Sequence, residues 1–225
     1  TLYFSAYAAF HFYHLIDMYL AYALMAFITL CSGVMAVGFN SMLVAVLGIL
    51  GGYGTPIMLS TGVVNFPGLF AYMLLLGCGV LAISYRKNWH LLNYLSFVCT
   101  YVLFFGAMRD YDKTYFWQVM PFLAAFFVLF STTNFLFNVV NRQKSTLLEA
   151  IGLVINAGIF FVVSYGLVEE VFGYRWVAVV TLALAAFYVA HVYYFLLLRL
   201  LDRELLFCFA GLAAFFVAVT LPLVL

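Results

Sequence analysis

Nine apolar segments follow one another along the chain, separated by breaks of only a few polar or turn-forming residues. They cover approximately 1–16, 19–39, 41–59, 68–85, 91–108, 115–140, 147–168, 176–201 and 205–225. A helix needs about 20 mostly apolar residues to cross a bilayer. Because the connections are short, sequential helices should lie side by side and antiparallel. We therefore predict an all-α fold, a polytopic transmembrane helix bundle of eight or nine spans with short loops.

The composition requires lipid as the solvent for most of this surface. Of the 225 residues, 68% are hydrophobic and 8% are charged, against roughly 25% charged residues in an ordinary soluble domain. The net charge is +1 and no basic cluster occurs, so we expect no nucleic-acid partner. Membrane lipids are the expected partners, with other membrane subunits as an alternative. We expect residues 1–225 to form a single integral membrane domain and, because Thr1 lies within an apolar run, to be a fragment of a longer membrane protein.

The loop charges predict an orientation. If every segment crosses, one face of the membrane receives the basic residues of three loops, Arg86/Lys87, Arg142/Lys144 and Arg199/Arg203. The positive-inside rule makes this face cytoplasmic, and the chain a multi-pass protein of the cell inner membrane. The loops between the first three segments contain no lysine or arginine, so charge does not fix the orientation of these segments.

The stretch "GILGGYGTPIML" at residues 48–59 weakens the third segment as a helix. Its candidate helix break consists of Gly51, Gly52, Gly54, Thr55 and Pro56, because glycines destabilise a helix and proline removes an N–H. The favoured interpretation is a continuous but kinked helix that crosses the membrane, with Gly48 and Gly52 packed on a neighbouring helix. The alternatives are a ligand-facing broken helix, as in transporters, or a segment that turns back.

This stretch also carries a resemblance to a family. Gly51, Gly52, Tyr53, Thr55 and Pro56 reproduce a Gly-Gly-aromatic-x-Thr-Pro signature, followed by "YMLLLGCG" at 72–79 and by a tryptophan that opens the next helix. In these features the chain resembles the domain-of-unknown-function 2339 family of predicted bacterial membrane proteins, most clearly over residues 1–110. The resemblance implies a polytopic architecture in the bacterial inner membrane, and it carries over no catalytic residue.

"HFYHLID" contains weak candidates for a metal site. His11, His14 and Asp17 recur three residues apart, a spacing that brings side chains together on a helix. Imidazoles beside a carboxylate bind metals or relay protons. A hydrated helix end is the favoured interpretation, since a metal site needs three or four converging ligands.

Among the polar residues inside apolar segments, four are candidate intramembrane site residues: His191, Asn134, Asn138 and Asn156. Ionisable groups at membrane depth face a partner or a cavity, so His191 either hydrogen-bonds a neighbouring helix or has a functional role. Asn134 and Asn138 share one helical stripe, which predicts hydrogen bonds between helices or a polar pathway. Asn156 is a possible partner on the facing helix.

Three classes of function follow from these features. The favoured one is a transporter or flippase-like helical bundle, with intramembrane polar residues along an internal path. The alternatives are a scaffold or assembly subunit of an envelope complex, and a membrane-embedded enzyme acting on lipid-linked substrates through Asp110 and Asp112. We assign no catalytic residue and expect no cofactor, since no phosphate loop, HExxH or nucleophile elbow occurs in the sequence.

Overall fold

A computed structural model describes residues 2–59, 65–87, 89–141, 147–197 and 203–224, and the regular elements in these ranges are all helical. The α-helices are α1 (Leu2–His11), α2 (Met18–Gly38), α3 (Met42–Met58), α4 (Phe66–Arg86), α5 (His90–Ala107), α6 (Phe116–Asn141), α7 (Leu147–Phe172), α8 (Val177–Leu197) and α9 (Arg203–Val224). The predicted all-α transmembrane bundle is thereby confirmed. The helix bounds follow the predicted segments closely, except that α1 ends at His11.

Seven of the described helices are long and apolar enough to cross a membrane. The two shorter ones are α1, with 10 residues, and α3, with 17. At about 1.5 Å per residue, α3 is about 25 Å long, which approaches the roughly 30 Å thickness of the hydrocarbon core. The described helices therefore account for seven spans by length, and α3 is the candidate for an eighth.

Polar side chains fix where several helices begin. The Asp17 carboxylate accepts a hydrogen bond from the Leu20 N–H at 3.1 Å and caps α2. Asn65 caps α4 in the same way through the Gly68 N–H at 3.2 Å. Side-chain caps of this kind satisfy N–H groups that have no partner inside the helix. Gly173, with a φ of 91°, supplies the left-handed turn after α7.

The contacts divide the chain into two compact units, and the first extends to Tyr111 and contains α1 to α5. Lys87, after α4, donates a hydrogen bond from Nζ to Asn40 Oδ1, between α2 and α3, at 2.8 Å. The end of α2, the start of α3 and the end of α4 therefore lie together. If α3 turned back, α4 would begin on the same side of the membrane as Asn40 and would end, at Lys87, on the other side. The contact between Asn40 and Lys87 therefore favours the predicted crossing of α3.

The second unit begins at Asp112 and contains α6 to α9. Lys113, before α6, pairs with Glu170 near the end of α7 at 3.7 Å, with both side chains about half exposed. The Tyr174 hydroxyl, before α8, donates to the Pro222 carbonyl near the end of α9 at 2.9 Å. These contacts bring helix starts to helix ends, which gives the antiparallel order that short loops predict.

Candidate functional site

The predicted helix break does not interrupt α3, which continues through Gly51, Gly52, Gly54, Thr55 and Pro56 to Met58. Proline removes the N–H that would bond the carbonyl four residues earlier, here that of Gly52. The Tyr72 hydroxyl on α4 donates to this carbonyl at 2.9 Å. The Thr55 hydroxyl donates to the Gly51 carbonyl at 3.0 Å. Side chains thus satisfy the backbone carbonyls that a broken helix would expose, which agrees with the favoured interpretation of a continuous helix.

A second set of hydrogen bonds lies one turn earlier on α3. The Tyr3 hydroxyl of α1 is 2.8 Å from Thr29 Oγ1 of α2 and 3.2 Å from the Gly48 carbonyl oxygen. Thr29 Oγ1 also lies 2.9 Å from the Met25 carbonyl oxygen. Each hydroxyl has one proton. If Tyr3 donates to Thr29 Oγ1, Thr29 donates to the Met25 carbonyl; if Tyr3 donates to the Gly48 carbonyl, Thr29 donates either to Tyr3 or to Met25. We call Tyr3, Thr29, Thr55 and Tyr72, with the carbonyls they contact, the α3 hydroxyl network.

A further buried polar contact joins α3 to α5. The Tyr53 hydroxyl lies 2.9 Å from Ser96 Oγ and 2.8 Å from Thr100 Oγ1, both on α5. Tyr53 is 3% exposed, and both hydroxyl partners are fully buried. Polar groups in an apolar interior are stable only when they are hydrogen-bonded, so this contact fixes α3 against α5.

Glycines allow α2 to approach α3 closely. A Cβ atom at Gly48 would lie 2.0 Å from Ser32 Oγ, and one at Gly52 would lie 2.9 Å from Thr29 Cγ2. The structure thus places the predicted packing face of Gly48 and Gly52 against α2. Close approach through small residues is the usual way for membrane helices to gain contact.

A groove of about 420 Å³ lies between α2, α3 and α4. We call it the α2–α4 groove. It begins at Thr29 near the middle of α2 and extends to Arg86 at the end of α4. Most of its lining is aliphatic or glycine, and the remaining lining residues are Thr29, Ser32 and Arg86. Thr29 and Gly48 belong both to the groove and to the α3 hydroxyl network.

Because Pro56 leaves the Gly52 carbonyl free for Tyr72, the effect of Tyr72→Phe on stability should depend on Pro56. Tyr72→Phe should lower the free energy of unfolding by about 1 kcal/mol, the range measured for hydrogen bonds between membrane helices. In a Pro56→Ala background the N–H of residue 56 can bond the Gly52 carbonyl, so Tyr72→Phe should cost much less there. A double-mutant cycle of unfolding in mixed micelles measures the coupling, with the exposed Tyr85→Phe as control. Equal losses in both backgrounds would contradict it.

The predicted metal candidates His11, His14 and Asp17 do not lie along one helix. His11 ends α1, and its ring stacks on that of Tyr7 at 5.1 Å. His14 has a φ of 48° in the loop, and Asp17 caps α2. The loop backbone leaves the helix after His11, so the helical spacing on which the hypothesis depended is lost. Within the described ranges no group of three His, Cys, Asp or Glu side chains is placed to hold a metal ion.

His191 hydrogen-bonds within its own helix. Its Nδ1 lies 2.8 Å from the Phe187 carbonyl oxygen, and since a carbonyl only accepts, Nδ1 is the donor. The imidazole also packs against the rings of Phe187, with the centroids 4.2 Å apart, and of Phe209 on α9, at 5.4 Å. These contacts give His191 a place in the α8–α9 interface. They do not test its predicted functional role.

Asn156 joins α7 to α6, the helix predicted to face it. The side chain is fully buried, and Nδ2 donates to the Phe127 carbonyl at 2.9 Å and to Ser131 Oγ at 3.0 Å. Asn134 and Asn138 also fall on α6, but their side chains lie outside the described residues. The asparagine stripe thus remains a prediction, while Asn156 links two helices by hydrogen bonds.

The acidic residues of the enzyme hypothesis are exposed and lie in short 3₁₀ turns or at their caps. Asp110 ends the turn after α5. Asp112 Oδ1 accepts a hydrogen bond from the Lys113 N–H at 2.8 Å, and Oδ2 accepts one from the Thr114 hydroxyl at 3.1 Å. Asp112 therefore has a local structural role in starting the turn before α6.

Several residues of the α3 hydroxyl network are not recognisable from the sequence pattern. Tyr3, Thr29 and Tyr72 lie in apolar runs, where tyrosine and threonine are common and do not mark a site. One signal is present, because Pro56 predicts an unpaired carbonyl at Gly52 and hence a donor from another helix. Ser96 and Thr100, four residues apart on α5, form a polar stripe that periodicity also detects.

Comparison with known proteins agrees with the membrane architecture. Residues 1–225 match the model of a family described as "Predicted membrane protein (DUF2339)". The match extends beyond residues 1–110, where the sequence resemblance is clearest, to the whole chain. No curated protein and no solved structure matches the chain.

Proposed function

The chain belongs to the DUF2339 family of predicted membrane proteins, and from that premise we propose that it is a flippase-like transporter of amphipathic molecules. Such a protein needs an apolar surface for a hydrocarbon chain and polar groups along the route of the head. A polar head without partners in the hydrocarbon core costs several kcal/mol, roughly the penalty for any unpaired polar group there.

The observation that carries this proposal is the junction of the α2–α4 groove with the α3 hydroxyl network. The groove is apolar and reaches from the Arg86 end to the middle of α2. At the end of the groove near the middle of α2, Thr29 Oγ1 and the Gly48 carbonyl contact the Tyr3 hydroxyl. One turn further along α3, the Tyr72 hydroxyl donates to the Gly52 carbonyl. An amphiphile in the groove would therefore meet hydroxyl groups at mid-depth, where lipid offers none.

Reconstituted vesicles provide the test. The full chain is incorporated into phosphatidylcholine vesicles with a trace of fluorescent NBD-phosphatidylglycerol, and dithionite then quenches the label on the outer leaflet. We expect the quenched share to rise from about half of the label towards all of it. Thr29→Val should slow the exchange about tenfold, which corresponds to an activation free energy raised by about 1.4 kcal/mol. Thr132→Val, which removes a hydroxyl that donates to the Val128 carbonyl of its own helix, is the matched control.

Two results would contradict the proposal. The first is exchange no faster than in protein-free vesicles, although the chain is folded and inserted. The second is equal slowing by Thr29→Val and Thr132→Val, because this would assign the effect to general loss of helix stability and not to the groove.

We also propose that the end of the first unit that carries Arg86 and Lys87 is cytoplasmic in the inner membrane, together with the loops of Arg142/Lys144 and Arg203. Arg142 and Lys144 lie outside the described residues, and Arg203 begins α9. In a cysteine-free background, Tyr13→Cys should react with a membrane-impermeant maleimide in intact spheroplasts. Asn40→Cys, at the Lys87 end, should react only after permeabilisation. The reverse pattern would invert the orientation, and equal labelling would show that α2 does not cross.

A further inference from the structure

We propose that the α2–α4 groove is a binding site for an anionic membrane lipid, with an acyl chain in the groove and the phosphate-bearing head at Arg86. The assignment rests on the proposed function, because it names the class of amphiphile that the groove would move. Binding and transport are measured separately, so that either can fail without the other.

The groove has the size and lining that an acyl chain requires. Its volume of about 420 Å³ falls within the roughly 300–1,000 Å³ typical of small-molecule pockets. The aliphatic residues Leu30, Val34 and Leu75 line it and are also 51%, 74% and 49% exposed. These side chains lie on the outer surface of a membrane bundle, so the groove opens towards lipid. The opening of the groove is therefore in constant contact with the hydrocarbon chains of lipids.

The width of the groove comes from missing side chains. Gly79 lines it, and a Cβ atom at this position would meet no atom within 4 Å. Gly33 lines it as well, with only Ile83 Cδ1 near its absent Cβ, at 3.9 Å. Space at these glycines is not taken up by the packing of α2, α3 and α4 on one another.

The charges at the Arg86 end of the groove favour a lipid with an anionic head. Arg86 lines the groove, is exposed, and forms no ion pair with any described residue. Its neighbour Lys87 hydrogen-bonds the neutral amide of Asn40, and no described carboxylate pairs with its charge. The only acidic residues of the first unit are Asp17 and Asp110. Asp17 starts α2 and Asp110 follows the end of α5, so both lie at the opposite end from Arg86.

Arginine is well suited to the head of such a lipid. The planar guanidinium binds phosphate oxygens through paired N–H donors. A basic residue near an anionic bilayer surface gains about 1 kcal/mol. The uncompensated cations and the lipid-facing apolar groove thus point to one amphipathic ligand that satisfies both.

Native mass spectrometry of the full chain in detergent tests the assignment. The protein is titrated with dioleoyl phosphatidylglycerol or with dioleoyl phosphatidylcholine, which share acyl chains and differ in head charge. We expect one phosphatidylglycerol molecule to bind more tightly than phosphatidylcholine. Arg86→Gln should weaken phosphatidylglycerol binding about fivefold, the equivalent of about 1 kcal/mol, and Arg109→Gln at the opposite end should leave it unchanged.

A second pair of variants tests the groove itself. Gly79→Leu should fill it and abolish selective phosphatidylglycerol binding, whereas Gly106→Leu should not. A Cβ atom at Gly106 on α5 would likewise meet no atom within 4 Å, and Gly106 does not line the groove. Circular dichroism and size-exclusion profiles identical to wild type would show that both variants are folded.

The possible outcomes separate the hypotheses. Equal affinity for the two lipids, or no effect of Arg86→Gln, would overturn the anionic head. Retained binding in Gly79→Leu would overturn the groove, and so would a dimer mass that this variant abolishes, because the occupant would then be a second copy. Selective binding that Arg86→Gln weakens and Gly79→Leu abolishes supports the site even if the vesicles show no lipid exchange, in which case only the transport proposal fails.

Discussion

Gly48→Leu should be the most damaging single substitution in the first unit, with a loss of about 3 kcal/mol in the free energy of unfolding. A Cβ atom at residue 48 would lie 2.0 Å from Ser32 Oγ and 3.0 Å from Ser32 Cβ. Ser32 Oγ can rotate away only by giving up its hydrogen bond to the Thr29 carbonyl, and the Cβ atom cannot move without α2. The expected fall in apparent melting temperature in detergent is about 10 °C.

Gly54→Leu is the matched control for this prediction. Gly54 lies on the same helix, and a Cβ atom there would meet no atom within 4 Å. Leucine is a better helix former than glycine by up to about 1 kcal/mol, so Gly54→Leu should leave the melting temperature unchanged or raise it. The same gain opposes the clash in Gly48→Leu, and the expected net loss therefore reflects packing.

A second-site change makes the cause of the loss identifiable. Among the described residues, Ser32 supplies the only atoms within 4 Å of the new Cβ, so Ser32→Gly should restore part of the stability lost in Gly48→Leu. By itself Ser32→Gly should be mildly destabilising, because it removes a hydrogen bond and puts a glycine into α2. Equal melting of Gly48→Leu and Gly54→Leu, or no recovery with Ser32→Gly, would refute the α2–α3 contact.

The positions of the helices could be predicted from the sequence because hydropathy and short polar breaks determine them. The predicted third segment 41–59 corresponds to α3 at Met42–Met58, and 147–168 to most of α7 at Leu147–Phe172. The first segment is the exception, since hydropathy predicts that it reaches residue 16. Apolar residues continue past His11, but the backbone of His14 turns to a positive φ, and hydropathy does not register such a turn.

The polar contacts between helices could be predicted only in part. The missing N–H of Pro56 implies an unpaired carbonyl at Gly52, but nothing in the sequence identifies its donor, Tyr72, 20 residues further along. Asn156 donates hydrogen bonds to Ser131 and to the backbone carbonyl of Phe127, both on α6. A partner side chain can be searched for in the sequence by its residue type. A backbone carbonyl cannot, because every residue has one.

The groove could not be predicted, because it depends on the relative rotation of three helices. Gly33, Gly48 and Gly79 lie on three different helices, and each alone is an ordinary membrane glycine. Gly48 fits closely against Ser32, whereas Gly79 leaves open space. Residue type is the same in both cases, so only the packing distinguishes the glycine that allows contact from the one that leaves a cavity.

Asn156→Asp should be the most damaging isosteric substitution in the second unit. Asparagine donates from Nδ2 to the Phe127 carbonyl and to Ser131 Oγ, and its side chain is fully buried. An ionised aspartate of the same shape has no donor and would place a negative charge against a carbonyl oxygen. Burial of such a charge at the centre of a membrane helix costs about 3 kcal/mol on insertion scales.

Two comparisons separate lost hydrogen bonds from buried charge. Asn156→Leu removes the donors without adding charge, so it should cost about 1 kcal/mol, since bonds between membrane helices are individually weak. Asn93 accepts a hydrogen bond from the Ser84 hydroxyl through Oδ1 and is half-buried, so Asn93→Asp keeps the acceptor and should be nearly neutral. Unfolding in mixed micelles should therefore rank the losses as Asn156→Asp, then Asn156→Leu, then Asn93→Asp. If Asn156→Asp were as stable as Asn156→Leu, the donor role of Asn156 between α6 and α7 would be wrong.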